Sequence, residues 1–281
     1  MSNATINLLN DITTIYSTYS NFFILIIGLF SNISLIFIFI TLRKFRHNQC
    51  TFYLTVESAA NIVLLFVDTS SPIYKTMFGI DPINVSLVWC KIQKAVAQQA
   101  GLFSLFTICC LTFDQYLATN PRSNWRQMST LRLARRLTYC NILFNIAHSS
   151  LFIIFTDISP TVGCTAYNNV LSLYFSVFYF SILSTGIPLV VMVTFSLLAY
   201  RNVRRIIRRQ IAVVRRRLDR QLTAMVLARV ISLIVLGIPF IVSALYRSNI
   251  SKGVVSELNA ALARLLVAIA SSFLDLNFAV R

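Results

Sequence analysis

The chain has 281 residues, of which 57% are apolar and 12% charged, and its formal net charge is +16. Soluble domains contain roughly 45–50% apolar and about 25% charged residues, so this composition excludes a soluble globular protein. The arginines cluster in short segments between long apolar stretches, which favours a membrane face and anionic membrane lipids, and not nucleic acid, as the partner of the positive charge.

Seven apolar stretches predict membrane-spanning helices. A bilayer core about 30 Å thick requires roughly 20 apolar residues in a helix, because lipid cannot satisfy exposed backbone N–H and C=O groups. The stretches cover residues 21–42, 50–72, 87–117, 133–156, 171–200, 222–247 and 256–279. We therefore expect an all-α integral membrane protein with a seven-transmembrane-helix bundle in residues 21–281. The polar N-terminal segment 1–20 lacks the features of a cleavable signal peptide.

Lysine and arginine are distributed unequally between the two sides of these spans, and short cytoplasmic loops are the ones enriched in both. Eighteen of the 25 lysines and arginines lie on the side that holds the segments after the first, third and fifth spans and the terminal Arg281. The opposite side holds five, at Lys75, Lys91, Lys94, Arg247 and Lys252. The bias predicts a multi-pass plasma-membrane protein with its N-terminus outside and its C-terminus inside.

Potential N-glycosylation sites favour the same orientation. Asn3, Asn84 and Asn249 each begin an Asn-x-Ser/Thr sequence in a segment that this topology places outside. A fourth such sequence, at Asn32, lies within the first span and is expected to stay unmodified. Sequences this short also arise by chance, so the argument depends on the side that the three sites share.

Individual residues in the spans have types and spacings found in one receptor family: a glycine before an asparagine, a cysteine twenty-four residues before an acidic motif, and helix prolines. They are Gly28 with Asn32, Asn61, Cys90 with Asp114-Gln115-Tyr116, Pro188 and Pro239. Through them the chain resembles the rhodopsin-like (class A) G-protein-coupled receptors over nearly its whole length. Polar helix packing explains the asparagines equally well, and proline is tolerated in transmembrane helices generally. The Cys90-to-Asp114 spacing is therefore the most specific match.

The resemblance implies a disulfide bond and a cytoplasmic switch. Cys164 lies where the family has the partner of Cys90, and an oxidising compartment favours the bond. The family's Asp-Arg-Tyr arginine pairs with an acid at the inner end of the sixth helix. Here Gln115 replaces that arginine and Asp219 supplies the acid, so their contact lacks charge assistance and the inactive lock is expected to be weaker.

Other parts of the family pattern are replaced. Asn61 stands in place of an aspartate, so no sodium ion is expected beside it, and no metal or cofactor is implied elsewhere. The resemblance places Asn61 near Ser104 and Ser271. The sixth span has Gly237 in place of a tryptophan, and residues 271–275 stand in place of Asn-Pro-x-x-Tyr.

A ligand pocket is expected between the helices in the outer half of the bundle, where polar residues are costly unless used. The candidates are Lys94, Gln98, Gln99, Arg247 and Arg264. Ala97 stands where amine receptors carry an aspartate, and Leu265 where opsins carry the retinal lysine, so neither a biogenic amine nor light is expected. Arg264 and Lys94 favour a peptide or an acidic ligand. Snorkelling of Arg264, or its pairing with Glu257, explains it equally well.

Three functions remain open. The first is a receptor that signals to a heterotrimeric G protein docked at the cytoplasmic face, where the arginines of segment 201–220 also fix topology and bind lipid. The second is an atypical or decoy receptor that binds ligand without coupling. The third is a transporter with Glu57 and Asp275 on an ion path, although no internal repeat supports it. No nucleophile–base or metal motif surrounds the two histidines, so an enzyme is not expected, and His148 is interpreted as a packing residue.

Overall fold

A computed structural model describes residues 3–42, 48–159, 163–166, 170, 173–208, 213–250 and 257–279. Within these ranges the description leaves out the side chains of residues 3, 166, 176, 177, 181, 206–208, 213–223, 241 and 244–250. The long helices are α1 Asn3–Thr41, α2 Gln49–Phe78, α3 Leu87–Ala118, α4 Leu131–Phe155, α5 Ile187–Arg208, α6 Val213–Ile250 and α7 Glu257–Ala279. They match the predicted spans in number and order.

Shorter elements connect these helices. Helical turns lie at Pro82–Val85 and Ser123–Met128, and a π-helix at Tyr174–Gly186 leads directly into α5. Strands β1 Thr156–Ser159 and β2 Gly163–Ala166 form an antiparallel pair between α4 and the π-helix. Pro188 is the second residue of α5, and Pro239 lies inside α6.

Six of the described helices are long and apolar enough to cross a membrane. They are Ala4–Thr41, Gln49–Phe78, Leu87–Ala118, Leu131–Phe155, Phe178–Arg205 and Glu257–Ala279. The seventh helix, α6, contributes the shorter apolar stretch Ala224–Phe240. The bundle is therefore that of an integral membrane protein.

Helix α1 begins at Asn3, well before the predicted start of the first span at residue 21. No glycine or proline precedes Gly28, so nothing in this segment interrupts a helix. The Thr18 hydroxyl donates to the Thr14 carbonyl and also lies 2.9 Å from the Thr76 hydroxyl of α2. The polar segment 3–20 is thus a continuation of α1 that contacts α2.

The two ends of the bundle are distinguished by two features. At one end Cys90, in the first turn of α3, is disulfide-bonded to Cys164 of β2, and the Asn84 side-chain oxygen accepts a 3.0 Å hydrogen bond from the Cys164 N–H. At the other end α3 reaches Asp114. We call these the disulfide end and the Asp114 end.

Close packing of small and aromatic side chains holds the helices together. A Cβ atom on Gly28 would lie 3.1 Å from the Ala279 Cβ and collide with Leu65, so the glycine lets α1 approach α2 and α7. His148 packs with its ring 5.1 Å from the Tyr179 ring, and its Nε2 lies 3.2 Å from the Tyr174 hydroxyl. These contacts agree with the packing role expected for His148.

Candidate functional site

A cavity of about 340 Å³ lies among α2, α3, the π-helix, α5, α6 and α7, between the middle of the bundle and the disulfide end. Most of its wall is apolar, and a mainly apolar wall with a few polar groups is typical of a ligand site. The polar lining residues are Asp68, Gln98, Ser184, Thr185, Ser271 and Asp275.

Two carboxylates face this one cavity, Asp68 from α2 and Asp275 from α7. They lie close enough to repel each other, and Lys94 of α3 is the cation near Asp68. Ion pairs within 4.0 Å among the described residues are Lys75–Asp81 and Arg229–Glu57, so neither cavity carboxylate forms one. The cavity therefore presents two carboxyl groups to a ligand.

Gly237 of α6 lines the same cavity, at the position where the family has a tryptophan. A Cβ atom built on this glycine meets no other atom within 4 Å. The absent indole ring thus leaves open space, which becomes part of the cavity.

The predicted pocket residues are only partly found here. Gln98 lines the cavity. Lys94 is not part of the lining, but it lies near the lining residue Asp68. Gln99 is not part of the lining, and Arg264 is exposed on α7 and also outside it. The ion pairs within 4.0 Å formed by the described residues do not include one between Arg264 and Glu257. The side chain of Arg247 lies outside the described residues.

Buried amides form the floor below the cavity. The Ser104 hydroxyl donates to Asn61 Oδ1 at 2.6 Å, as the resemblance implied. The amides of Asn61 and Asn32 both donate to the Phe278 carbonyl, at 3.3 and 3.0 Å. Ser271, expected beside Asn61, instead donates to the Ala268 carbonyl.

Helix α7 presents different residues at the amide network and at the cavity. Asn277 and Phe278 lie at the level of Asn61, whereas residues 271–275 lie nearer the disulfide end and contribute Ser271 and Asp275 to the cavity. The match of residues 271–275 to the family's Asn-Pro-x-x-Tyr motif stays a prediction, because neither a proline nor a tyrosine marks the motif in this chain.

A buried ion pair lies beyond the floor, toward the Asp114 end. Arg229 of α6 places Nη2 3.3 Å from Glu57 Oε1 of α2, with side-chain exposures of 11% and 1%. Its Nη1 donates to Asn277 Oδ1 at 2.8 Å and also to the Asn277 backbone carbonyl. One guanidinium thus joins three helices.

Three of the predicted switch residues, Asp114, Gln115 and Tyr116, lie in the last turns of α3. Asp114 is buried and accepts a 3.0 Å hydrogen bond from the Ser129 hydroxyl, and the Ser129 carbonyl accepts one from the Gln49 amide. Gln115 is also buried and lies beside the Cys50 thiol. The ring of Tyr116 lies 5.5 Å from that of Phe195. The side chain of Asp219 lies outside the described residues, so its contact with Gln115 stays a prediction.

Several site residues were not singled out from the sequence as such. Asp68 and Arg229 were not among the predicted site residues, and Glu57 and Asp275 were considered only for transport. The signal that could have found them is general: an ionisable side chain in a transmembrane helix is costly, and it is retained where it has a partner or a function.

Comparison with known proteins bears on the class of this molecule. A model of the family described as 7 transmembrane receptor (rhodopsin family) matches residues 31–275. The neuromedin U receptor homolog nmur-2 of Caenorhabditis elegans is 27% identical to the chain over 95 residues, which are 34% of this chain and 23% of that receptor. The chain thus aligns with less than a quarter of that relative.

Proposed function

Since the chain belongs to the rhodopsin family of seven-transmembrane receptors, we propose that it is a plasma-membrane receptor that binds an extracellular ligand and activates a heterotrimeric G protein. Membership of this family makes the chain a receptor and not an enzyme. The observation that carries the proposal is the cavity with two carboxylates, whose lining residue Phe278 also belongs to the buried amide network.

The orientation that we propose places the disulfide end outside the cell. The excess of arginine and lysine beyond the Asp114 end supports this orientation. A disulfide bond forms in an oxidising compartment, which also favours the outside for Cys90 and Cys164. Glycans on Asn3, Asn84 and Asn249 would then lie on the ligand side. Of these, Asn84 is exposed, and the other two side chains lie outside the described residues.

The ligand that best fits the cavity carries a basic group. A guanidinium or ammonium group between Asp68 and Asp275 would relieve the repulsion of the two carboxylates and form charge-assisted hydrogen bonds. A carboxylate on the ligand would instead be a third one in this place and would add to that repulsion. The geometry thus favours a basic ligand over the acidic one expected from the sequence.

A peptide is the class of ligand that we propose. The relative with a partial match is named for a neuromedin U receptor, although the match covers only 34% of this chain. The size of the cavity also suits one or two side chains of a peptide, whose remainder would lie toward the β1–β2 pair.

A screen of matched peptides in cells tests this function. Each set contains three peptides that differ at one position, which carries arginine, its neutral isostere citrulline, or glutamate. The readout is dissociation of the G protein. We expect the active peptides to carry arginine. Their potency is expected to fall by about 10- to 100-fold in Asp68→Asn, since a charged hydrogen bond contributes about 1.5–3 kcal/mol.

The control variant for this screen is Asp11→Asn, which alters an exposed carboxylate on α1 far along the chain from the cavity. It is expected to leave potency unchanged. Equal potency of the arginine and citrulline peptides, or a preference for glutamate, would refute the basic ligand. An unselective loss of response in both variants would indicate poor expression, which surface labelling measures directly.

Coupling in spite of Gln115 has its own test. We expect wild-type receptor to show basal G-protein activation, and Gln115→Arg to lower it by about two- to fivefold. The reason is that a restored pair with Asp219 would stabilise the inactive state by about 0.5–1 kcal/mol. Gln115→Asn keeps a neutral amide and is expected to resemble wild type.

The decoy receptor is the second candidate, and the observation that favours it is the neutral Gln115 in the place of the switch arginine. It predicts that wild type activates no G protein under any condition, whereas Gln115→Arg does. That outcome would replace signalling by ligand capture as the function of this chain.

A further inference from the structure

Two opposite charges are buried in the half of the bundle toward the Asp114 end. Glu57 on α2 and Arg229 on α6 are 1% and 11% exposed in their side chains and lie 3.3 Å apart. Among the described residues, theirs is the ion pair that joins two membrane-spanning helices. Charges at this depth are costly unless paired, so the position of α6 is tied to the position of Glu57.

The guanidinium also reaches the last helix. Its Nη1 donates to the Asn277 side-chain oxygen at 2.8 Å and to the Asn277 backbone carbonyl, and the Ser232 hydroxyl of α6 donates to the same side-chain oxygen at 3.4 Å. A planar guanidinium presents its donors in fixed directions, so it fits this one arrangement of α2, α6 and α7.

The contact lies next to the ligand cavity. On α7, Asn277 comes two residues after Asp275 and directly before Phe278, and both of these residues line the cavity. The Phe278 carbonyl accepts the amides of Asn61 and Asn32, which fix α7 to α1 and α2. A displacement of α7 at Asp275 would therefore change the position of the acceptors that hold Arg229.

We propose that Arg229 is the inactive-state lock of this receptor, holding α6 against α2 and α7 through Glu57 and Asn277. It does so in place of a charged contact at the end of α3, where Gln115 carries no charge. When the three helices separate, the ion pair between the buried Glu57 and Arg229 is broken, so the resting arrangement is preferred until a ligand moves α7.

The position of α6 can be measured without a ligand or a G protein, so this inference is tested independently of the proposed function. Spin labels at Arg126→Cys and Ala224→Cys report the distance between the short helix Ser123–Met128 and the first residue of the apolar stretch Ala224–Phe240 of α6. Both sites are exposed. The background carries Cys110→Ala and Cys140→Ser, because Cys140 is exposed and Cys110 is only partly buried. The protein is reconstituted in lipid nanodiscs.

Wild type is expected to show one main distance. Arg229→Gln and Glu57→Gln should each raise the population at a second, longer distance at least about tenfold, which corresponds to about 1.4 kcal/mol of lost interaction. Arg229→Lys keeps the positive charge but loses the guanidinium N–H groups that donate to Asn277, so it should give an intermediate population at the longer distance. The control Arg264→Gln removes an exposed arginine of α7 and should match wild type.

A pair that serves only stability would not move this distribution. Distances in Arg229→Gln, Glu57→Gln and Arg229→Lys that coincide with wild type would overturn the lock. If Arg229→Gln does not fold, the other two variants decide the question in the same way. If Arg264→Gln shifted the distribution as far as Arg229→Gln, the effect would belong to arginine removal in general and the lock would again be overturned.

Discussion

Replacing Arg229 by leucine is expected to lower the free energy of unfolding by about 3–5 kcal/mol, because the substitution removes the cation that lies beside the buried Glu57 carboxylate. The substitution also removes the donor that holds Asn277. Unfolding by heat or denaturant in a detergent micelle, with purified wild type and variant side by side, measures the difference.

A double variant separates the buried charge from the packing. Glu57→Leu with Arg229→Leu removes both charges, and replacing a buried pair by apolar side chains is often neutral or stabilising. We expect it to recover most of the stability lost in the single variant. Arg264→Leu, on an exposed site, should change stability by less than about 0.5 kcal/mol. A single variant as stable as wild type would show that water or another group already solvates Glu57.

Removing the disulfide bond is expected to have a comparable effect. Cys90 and Cys164 are 74 residues apart in sequence, and a bond that closes a loop of this length stabilises a protein by about 2–5 kcal/mol. The bond also joins α3 to β2 at the disulfide end, toward which the cavity lies. Cys164→Ser should therefore both unfold earlier and bind ligand less tightly.

The chain offers a matched control for this variant. Cys140 is a free and exposed cysteine, so Cys140→Ser removes a thiol without removing a bond and should behave as wild type. Reduction of wild type by dithiothreitol should reproduce the unfolding temperature of Cys164→Ser. If reduction and the variant both left this temperature unchanged, the bond would have no role in stability.

Sequence patterns predicted the helices well because lipid imposes a simple rule on them. Each span needs a long apolar helix, and that requirement is readable from one segment at a time. Helix α1 extends beyond the predicted first span, because residues 3–20 are polar yet continue the helix, with Thr18 against Thr76. Polarity marks the membrane boundary and does not mark the end of a helix.

Contacts between distant residues were predicted only where the family resemblance supplied them. Cys90 with Cys164 and Asn61 with Ser104 were named in this way and are present. The pair Glu57–Arg229 was not predicted, because 172 residues separate its members in the sequence and no periodicity links them. The cost of a charge in lipid predicts that each has a partner, but only the packed helices show which one.

The ligand cavity was the least predictable part of the molecule. Lys94 and Arg264 suggested a positively charged pocket. In the structure, Asp68 and Asp275 line the cavity, and Arg264 is exposed outside it. Which face of a transmembrane helix meets the interior depends on its neighbours, and hydropathy distinguishes the faces poorly when both are apolar.

Nucleotide exchange on purified G proteins tests the account most directly, since it needs no ligand. Wild type and Arg229→Gln are reconstituted in vesicles and compared for each class of heterotrimeric G protein. We expect Arg229→Gln to accelerate exchange about tenfold over wild type for at least one class, because the active position of α6 is more populated. Exchange by folded Arg229→Gln at the rate of receptor-free vesicles, for every class, would contradict it.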